Sequence, residues 1–234
     1  MLRSLRRRVA ATRESWRLSP TARAVRRRGL TYLEPARLGI LERSCREVNE
    51  RRIPGDFVEA GVALGGTGIV LATHMGPNRR FHGYDVFGMI PPPSKRDDAK
   101  SQARYEVIAS GRSEGIDGDT YYGYIAELYE RVAANFAEYG LPLGDRVVLH
   151  PGLFEDTLHP TVPVALAHVD SDWYDPVRTC LERLERCVSR GGLIVVDDYH
   201  DYGGCRKAVD EFLKSAPHFR FEDANANILL RRTD

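Results

Sequence analysis

Two apolar runs that each end in aspartates constrain this chain more than any other feature. One is Val164-Ala-Leu-Ala-His-Val169, followed by Asp170-Ser-Asp172-Trp-Tyr, and the other is Leu193-Ile-Val-Val196, followed by Asp197-Asp198-Tyr199. A single helical stretch separates them, opened by Asp175-Pro176 and closed by Gly191-Gly192, with Val177, Leu181, Leu184 and Val188 on one face. Short apolar runs bounded by turn signals read as buried strands, so both acid groups fall at strand carboxyl ends, where open α/β sheets bind ligands. Carboxylates gathered there repel one another, and a cation offsets that repulsion. An all-oxygen set suits a hard ion such as Mg2+ or Ca2+ better than zinc. The plainer alternative is that Asp197 and Asp198 cap the next helix while Asp172 sits on a turn.

The remainder of the chain alternates in the same way. Thr31-Tyr-Leu-Glu34 has capping-box spacing, and Leu38, Leu41, Cys45 and Val48 recur at three and four residues, which predicts an amphipathic helix ending before Pro54-Gly55. Residues 56–60 predict a strand, Gly61-Val-Ala-Leu-Gly65-Gly66-Thr67 a turn into an apolar helix reaching His74, and 81–86 a second strand. A helix over 125–138, a strand over 146–150 and a helix over 205–215 complete the middle of the chain. Phe219-Arg-Phe-Glu and Asn227-Ile-Leu-Leu-Arg flank an Asn-rich turn and read as a terminal hairpin. The pattern is that of an α/β fold: a doubly wound, mainly parallel sheet of seven strands with an antiparallel carboxyl-terminal hairpin. At 234 residues there is room for one such domain, over 31–234, and too little for two.

Residues 87–125 break the alternation with Pro91-Pro-Pro93, a charged run and Gly115-Ile-Asp-Gly118-Asp-Thr-Tyr-Tyr-Gly123. An insertion of this length inside a compact domain is a functional lid or is disordered. Its place directly after a strand end, and Tyr121, Tyr122 and Tyr124, favour a lid beside an acceptor pocket.

Charge is divided unevenly. Residues 1–28 carry ten arginines against Glu14 alone, whereas the rest carries 24 Lys and Arg against 32 acids. A basic arm over 1–30 could bind nucleic acid or an anionic membrane as a non-enzymatic anion-binding module. Without aromatic interleaving or a nucleic-acid motif, docking on the acidic body or on a partner subunit is the better reading, with no nucleic acid and no membrane as partners. No apolar run approaches the roughly 20 residues that span a bilayer, and the arm lacks the apolar centre of a signal peptide. A cytoplasmic protein is expected, as is a homo-oligomer built through the amphipathic amino-terminal helices. Cys45, Cys180, Cys187 and Cys205 form no C-x-x-C pair, so reduced thiols are expected.

The glycine turn after the first strand leaves backbone N–H groups free to meet a ligand. Asp85 ends the second strand about 20 residues later, where a carboxylate grips the two ribose hydroxyls of an adenosine. Glu59 opens the motif, and the spacing departs from G-x-G-x-x-G, which argues against a cradled pyrophosphate.

Glu59-x-Gly61, Asp85, Gly152-Leu-Phe-Glu-Asp156-Thr-Leu and the terminal hairpin together resemble the class I S-adenosylmethionine (SAM)-dependent methyltransferases. Val169-Asp170-Ser-Asp172-Trp-Tyr, Val196-Asp197-Asp198-Tyr and Cys205-Arg-Lys-Ala-Val-Asp narrow the resemblance to the macrocin O-methyltransferase (TylF-type) family, which methylates sugar hydroxyls of antibiotics. The resemblance runs from about Thr31 to the end of the chain and leaves out the first 28 residues. It implies the Rossmann-like fold of class I methyltransferases and SAM as cofactor, with S-adenosylhomocysteine as its product. Mg2+ and a small hydroxylated acceptor are implied as well. Glu59, Gly61, Gly65 and Thr67 would shape the methionine end of the cofactor site, with Asp170 beside them. Asp85 would hold the ribose, and Phe154 and Glu155 would lie by the adenine. Asp170, Asp197 and Asp198 match the metal ligands and Asp172 the general base, although Asp170 and Asp172 could exchange roles. His200 follows Asp198 closely enough to be an alternative base, whereas His168, inside a strand, reads as packed. Trp173 and Tyr174 read as packing the strand end. A catechol-type methyltransferase, chelating a phenolic diol on the same ion, is the rival assignment.

Overall fold

Helices cover both faces of one twisted sheet in the computed structural model, which describes residues 18–234. In chain order the elements are α1 (Pro20–Arg27), α2 (Pro35–Glu50), β1 (Asp56–Ala60), α3 (Gly66–His74), β2 (Phe81–Asp85), α4 (Ala99–Ala109) and α5 (Leu128–Glu138). They are followed by β3 (Val147–Pro151), α6 (Phe154–Thr157), β4 (Val164–Val169), α7 (Tyr174–Glu185), β5 (Val188–Val196), α8 (Gly203–Ser215), β6 (Phe219–Asp223) and β7 (Ile228–Arg232). The strand order is β3-β2-β1-β4-β5-β7-β6, and β7 alone runs against the others. This is the doubly wound sheet with a carboxyl-terminal hairpin that the sequence pattern requires.

Every residue of β4 is buried, as a central parallel strand covered on both faces must be. One core lies between the sheet and α1, α2, α3 and α5, and includes Phe57, Phe81, Leu166, Leu193 and Phe136. The other lies under α7 and α8, and includes Val58, Val169, Val196, Leu181 and Phe212. Leu38, Leu41, Cys45 and Val48 are all buried in the first core, as their periodicity demands. Strand order reverses between β1 and β4, the switch point at which such sheets open a crevice at their carboxyl ends.

Several local features differ from the sequence reading. Helix α2 starts at Pro35, so Thr31 is not its cap. Thr31 Oγ1 instead pairs with Thr67 Oγ1 at 2.9 Å and accepts from Leu33 N–H. Gly191 and Gly192 do not close a helix. Helix α7 stops at Glu185, and the glycines lie inside β5, where the register with β4 shifts and Gly191 takes φ +79°. A glycine pair after an apolar periodicity reads as a helix stop, but a bulged strand uses the same freedom. The insertion holds a regular helix, α4, and two 3-10 turns over Ile116–Gly118 and Tyr122–Tyr124.

The last part of the basic arm docks on the body. Ala22 and Val25 of α1 are buried against α3, the Glu42 carboxylate accepts from Ser19 N–H, and Arg28 pairs with Glu138. The rest of the arm lies outside the described residues. The four cysteines are free. No helix among the described residues is long and apolar enough to cross a membrane.

Candidate active site

A cavity of about 380 Å3 opens at the switch point. Its floor is Gly61, Ala63 and Asp85, one wall is Asp170, Asp172, Asp197, Asp198 and Asp201, and the lid supplies Ile90, Lys100, Arg104, Ile108, Tyr121 and Tyr122. Tyr32, Leu33, Glu34 and Arg37 close it from the start of α2, and Trp173 and Tyr202 from the acid-bearing loops.

The β1 turn fixes the floor. Gly61 has φ +94°, and a Cβ there would lie 1.8 Å from Asp170 O, so only glycine allows the ends of β1 and β4 to approach this closely. Asp85 is buried and ties the turn down: Oδ2 accepts from Val62 N–H at 2.7 Å and Ala63 N–H at 3.0 Å, and Oδ1 from Phe87 N–H at 2.7 Å. Burial raises its pKa against the pull of those N–H groups.

Asp170, Asp197 and Asp198 each bring one carboxylate oxygen within 4.8 Å of the others, and among the described residues this is the one such set of metal-ligating groups. Burial, and next the charge of Asp197, push Asp170 well above the carboxylate range. Burial, Asp172 and Asp170 do the same to Asp198. Asp172, held at φ +55°, is raised by burial to about 6 despite the opposing pull of Arg104, and its N–H donates to Asp198 Oδ2 at 3.2 Å. Asp197 differs. Burial alone would raise it, but His168 and Arg37 hold it below the usual range. The Arg37 guanidinium spans Asp197 Oδ2 and Asp201 Oδ2, and Asn227 Nδ2 donates to Asp197 Oδ1.

His168 is more than a packed ring. Glu59 and His168 are register partners on β1 and β4, on the same face of the sheet as Asp197. Nδ1 lies 3.1 Å from Glu59 Oε1, and Nε2 lies 3.8 Å from Asp197 Oδ1, too far for a hydrogen bond but close enough for strong attraction of charge. Burial opposes charging of the ring, yet the two flanking carboxylates outweigh it and push the imidazole up to about 10. Strand alternation fixed its face. Its partners needed the register of three strands, which no local pattern supplies.

Six of the site residues expected from sequence therefore meet in one cavity: Gly61, Asp85, Asp170, Asp172, Asp197 and Asp198. Glu59, Gly65, Thr67, Phe154, Glu155 and His200 lie outside its wall. Glu59 Oε1 pairs with His168, Gly65 is the left-handed residue before α3, and Thr67 bonds Thr31. Phe154 packs against the second core while Glu155 is exposed. His200 faces Asp223, with Nε2 3.3 Å from Oδ1, because the 3-10 turn over Asp198–His200 carries its ring outwards. Tyr121 and Tyr122 line the cavity as expected of the lid, but Tyr124 donates its hydroxyl hydrogen to Ile108 O inside it. Trp173 reaches both the cavity and the lid, donating from Nε1 to Pro91 O at 3.1 Å. Arg37 and Arg104 carried no signal of their own in the sequence.

A profile of the macrocin-O-methyltransferase (TylF) family matches residues 4–218. The match takes in most of the basic arm and stops before the terminal hairpin, whereas the resemblance carried by the motifs begins near Thr31 and includes the hairpin. The chain is 36% identical over 170 residues to the 8-demethyl-8-(2,3-dimethoxy-alpha-L-rhamnosyl)-tetracenomycin-C 4'-O-methyltransferase of Streptomyces olivaceus, covering 68% of this chain and 58% of that protein. It is 33% identical over 189 residues to the demethyldecarbamoylnovobiocin O-methyltransferase of Streptomyces niveus, covering 78% and 67% of the two chains. The O-methyltransferase NovP superposes with a TM-score of 0.72 at 26% identity, over 88% of this chain and 83% of that one. With a family match spanning nearly its whole length, this chain belongs to the macrocin-O-methyltransferase (TylF) family.

Proposed function

We propose that the protein is a SAM-dependent, Mg2+-dependent O-methyltransferase acting on a hydroxyl, a sugar hydroxyl in the first instance, of a glycosylated small molecule. The observation that carries this reading is the convergence of Asp170, Asp197 and Asp198 beside the glycine turn at the switch point. The relatives named as methyltransferases of a rhamnosyl tetracenomycin and of a novobiocin precursor support the acceptor class.

The residues fit both groups. SAM supplies an activated methyl on its sulfonium; the turn at Gly61 and the Asp85 carboxylate offer its methionine and ribose ends a close backbone and an acceptor. The three aspartates form an all-oxygen set, and burial, reinforced by neighbouring carboxylates, pushes two of them well above the carboxylate range, a repulsion that a bound cation would offset. Bound Mg2+ supplies Lewis acidity, which lowers the pKa of an acceptor hydroxyl. Asp172 faces the same space with a pKa of about 6, ionised at neutral pH and basic enough to accept the hydroxyl proton. Lid tyrosines and Trp173 line the cavity, where they would exclude water and orient the acceptor, and such orientation lowers the barrier.

Transfer of labelled methyl from SAM to sugar-bearing and to catechol acceptors, in Mg2+ and in EDTA, tests the assignment. Metal-dependent transfer to a sugar hydroxyl is expected. Turnover of catechols alone would move the enzyme to the phenolic class, and equal transfer in EDTA would remove the metal from the account.

A further inference from the structure

The lid is fastened to the two acid-bearing loops by one dipeptide. Asp97 Oδ1 accepts from Tyr174 N–H at 2.7 Å, the first residue of α7, which follows the Asp170–Asp172 loop. Asp98 Oδ2 accepts from Gly203 N–H at 2.8 Å, the first residue of α8, which follows the Asp197–Asp198 pair. Both carboxylates also anchor within the lid: Asp97 Oδ2 accepts from Ser94 N–H at 2.9 Å, and Asp98 Oδ1 caps α4 by accepting from the Ser101 N–H and hydroxyl at 2.8 Å each.

The α8 side is shaped to receive them. A Cβ on Gly204 would lie 1.8 Å from Asp97 Oδ1, and one on Gly203 would lie 2.6 Å from Asp98 Oδ2. A carboxylate at the start of a helix meets unpaired N–H groups and the positive end of the helix dipole, so each contact is stronger than an ordinary loop hydrogen bond. Helix α4, held this way, turns Lys100, Arg104 and Ile108, spaced four residues apart, towards the acid cluster.

We propose that Asp97 and Asp98 are positioning residues, a paired latch that registers the acceptor-facing stripe of the lid against both acid-bearing loops. The functional side of this proposal rests on the cavity being the methyl-transfer site. The latch itself does not.

Hydrogen exchange on the full-length chain tests it, comparing the wild type with Asp97→Ala, Asp97→Asn and Gly204→Ala. Asp97→Ala removes the acceptor and Gly204→Ala displaces it from the opposite side while keeping a good helix former, so the two should share one phenotype. Exchange over 94–112 and at the start of α7 should quicken about tenfold or more, as expected when a local contact rather than the global fold is lost, while β4 stays protected. Asn, which retains one carbonyl acceptor, should restore part of the protection. Unchanged lid exchange in both variants, or equal quickening in β4, would overturn the latch. S-adenosylhomocysteine titration of the same samples separates the two ideas: a wild type that fails to bind it contradicts the methyltransferase reading and leaves the exchange result standing.

Discussion

Asp170, Asp172, Asp197 and Asp198 share one wall yet differ in what surrounds them, and the proposed function gives them different tasks. Asp197 has protein donors on both oxygens, so it keeps its charge without help. Asp170 and Asp198 are buried among other carboxylates with little to offset their charge, which suits the metal-ligand role proposed for them. Replacement of Asp198 or Asp172 by Asn should slow methyl transfer about 100-fold or more, in line with the loss of a positioned base or a metal ligand. Affinity for S-adenosylhomocysteine should change little, and initial rates beside calorimetry check the split. The same shifts carry a sign for stability. A carboxylate whose folded pKa is raised binds its proton more tightly when folded, so its contribution is fullest at low pH and is lost as pH climbs from the ordinary carboxylate value through the raised one. For Asp172 that window ends near 6, and Asp170 and Asp198, whose pKa values are also raised, act in the same sense. Asp197, held low, works in the opposite sense. Mg2+ should therefore raise the melting temperature more at pH 7.5 than at pH 5, and equal shifts at both would contradict the assignment.

Elements bring these residues together through two backbone devices, the turn after β1 and the lid. Gly61→Ala should abolish S-adenosylhomocysteine binding, because its methyl would collide with Asp170 O. The positive φ alone should cost about 1–3 kcal/mol of stability, which chemical denaturation would measure. How much was legible in the sequence follows from how local each signal is. The run of β4, broken only by His168, and the run Leu193–Val196 of β5 end where their aspartates begin, since a strand segment buried on both faces is largely apolar. Gly61 and Asp85 were readable because a tight turn and a strand end each leave a residue signature. The bulge at Gly191-Gly192 was not, because helix stops and bulges use the same residue. Helix α4 was hidden by its charged, weakly periodic surface, its apolar burial amounting to Ile108. His200 was misplaced because proximity along the chain says nothing about which way a 3-10 turn rotates a ring. The role of His168, like those of Arg37 and Arg104, rests on contacts between distant elements.

At the scale of the whole molecule, the doubly wound sheet places its switch point where β1 and β4 meet, and both the glycine turn and the acid cluster emerge there. The segment that leads into α2 reaches the same end of the sheet and closes the cavity with Tyr32, Glu34 and Arg37. Glycine-turn floor, acid wall and lid thus belong to a single packed body. Calorimetric titration of the wild type and Asp85→Ala with S-adenosylhomocysteine tests this arrangement most directly. The account predicts one site per chain in the wild type and its loss in the variant. Absence of binding to the wild type, or equal binding by both proteins, would contradict it.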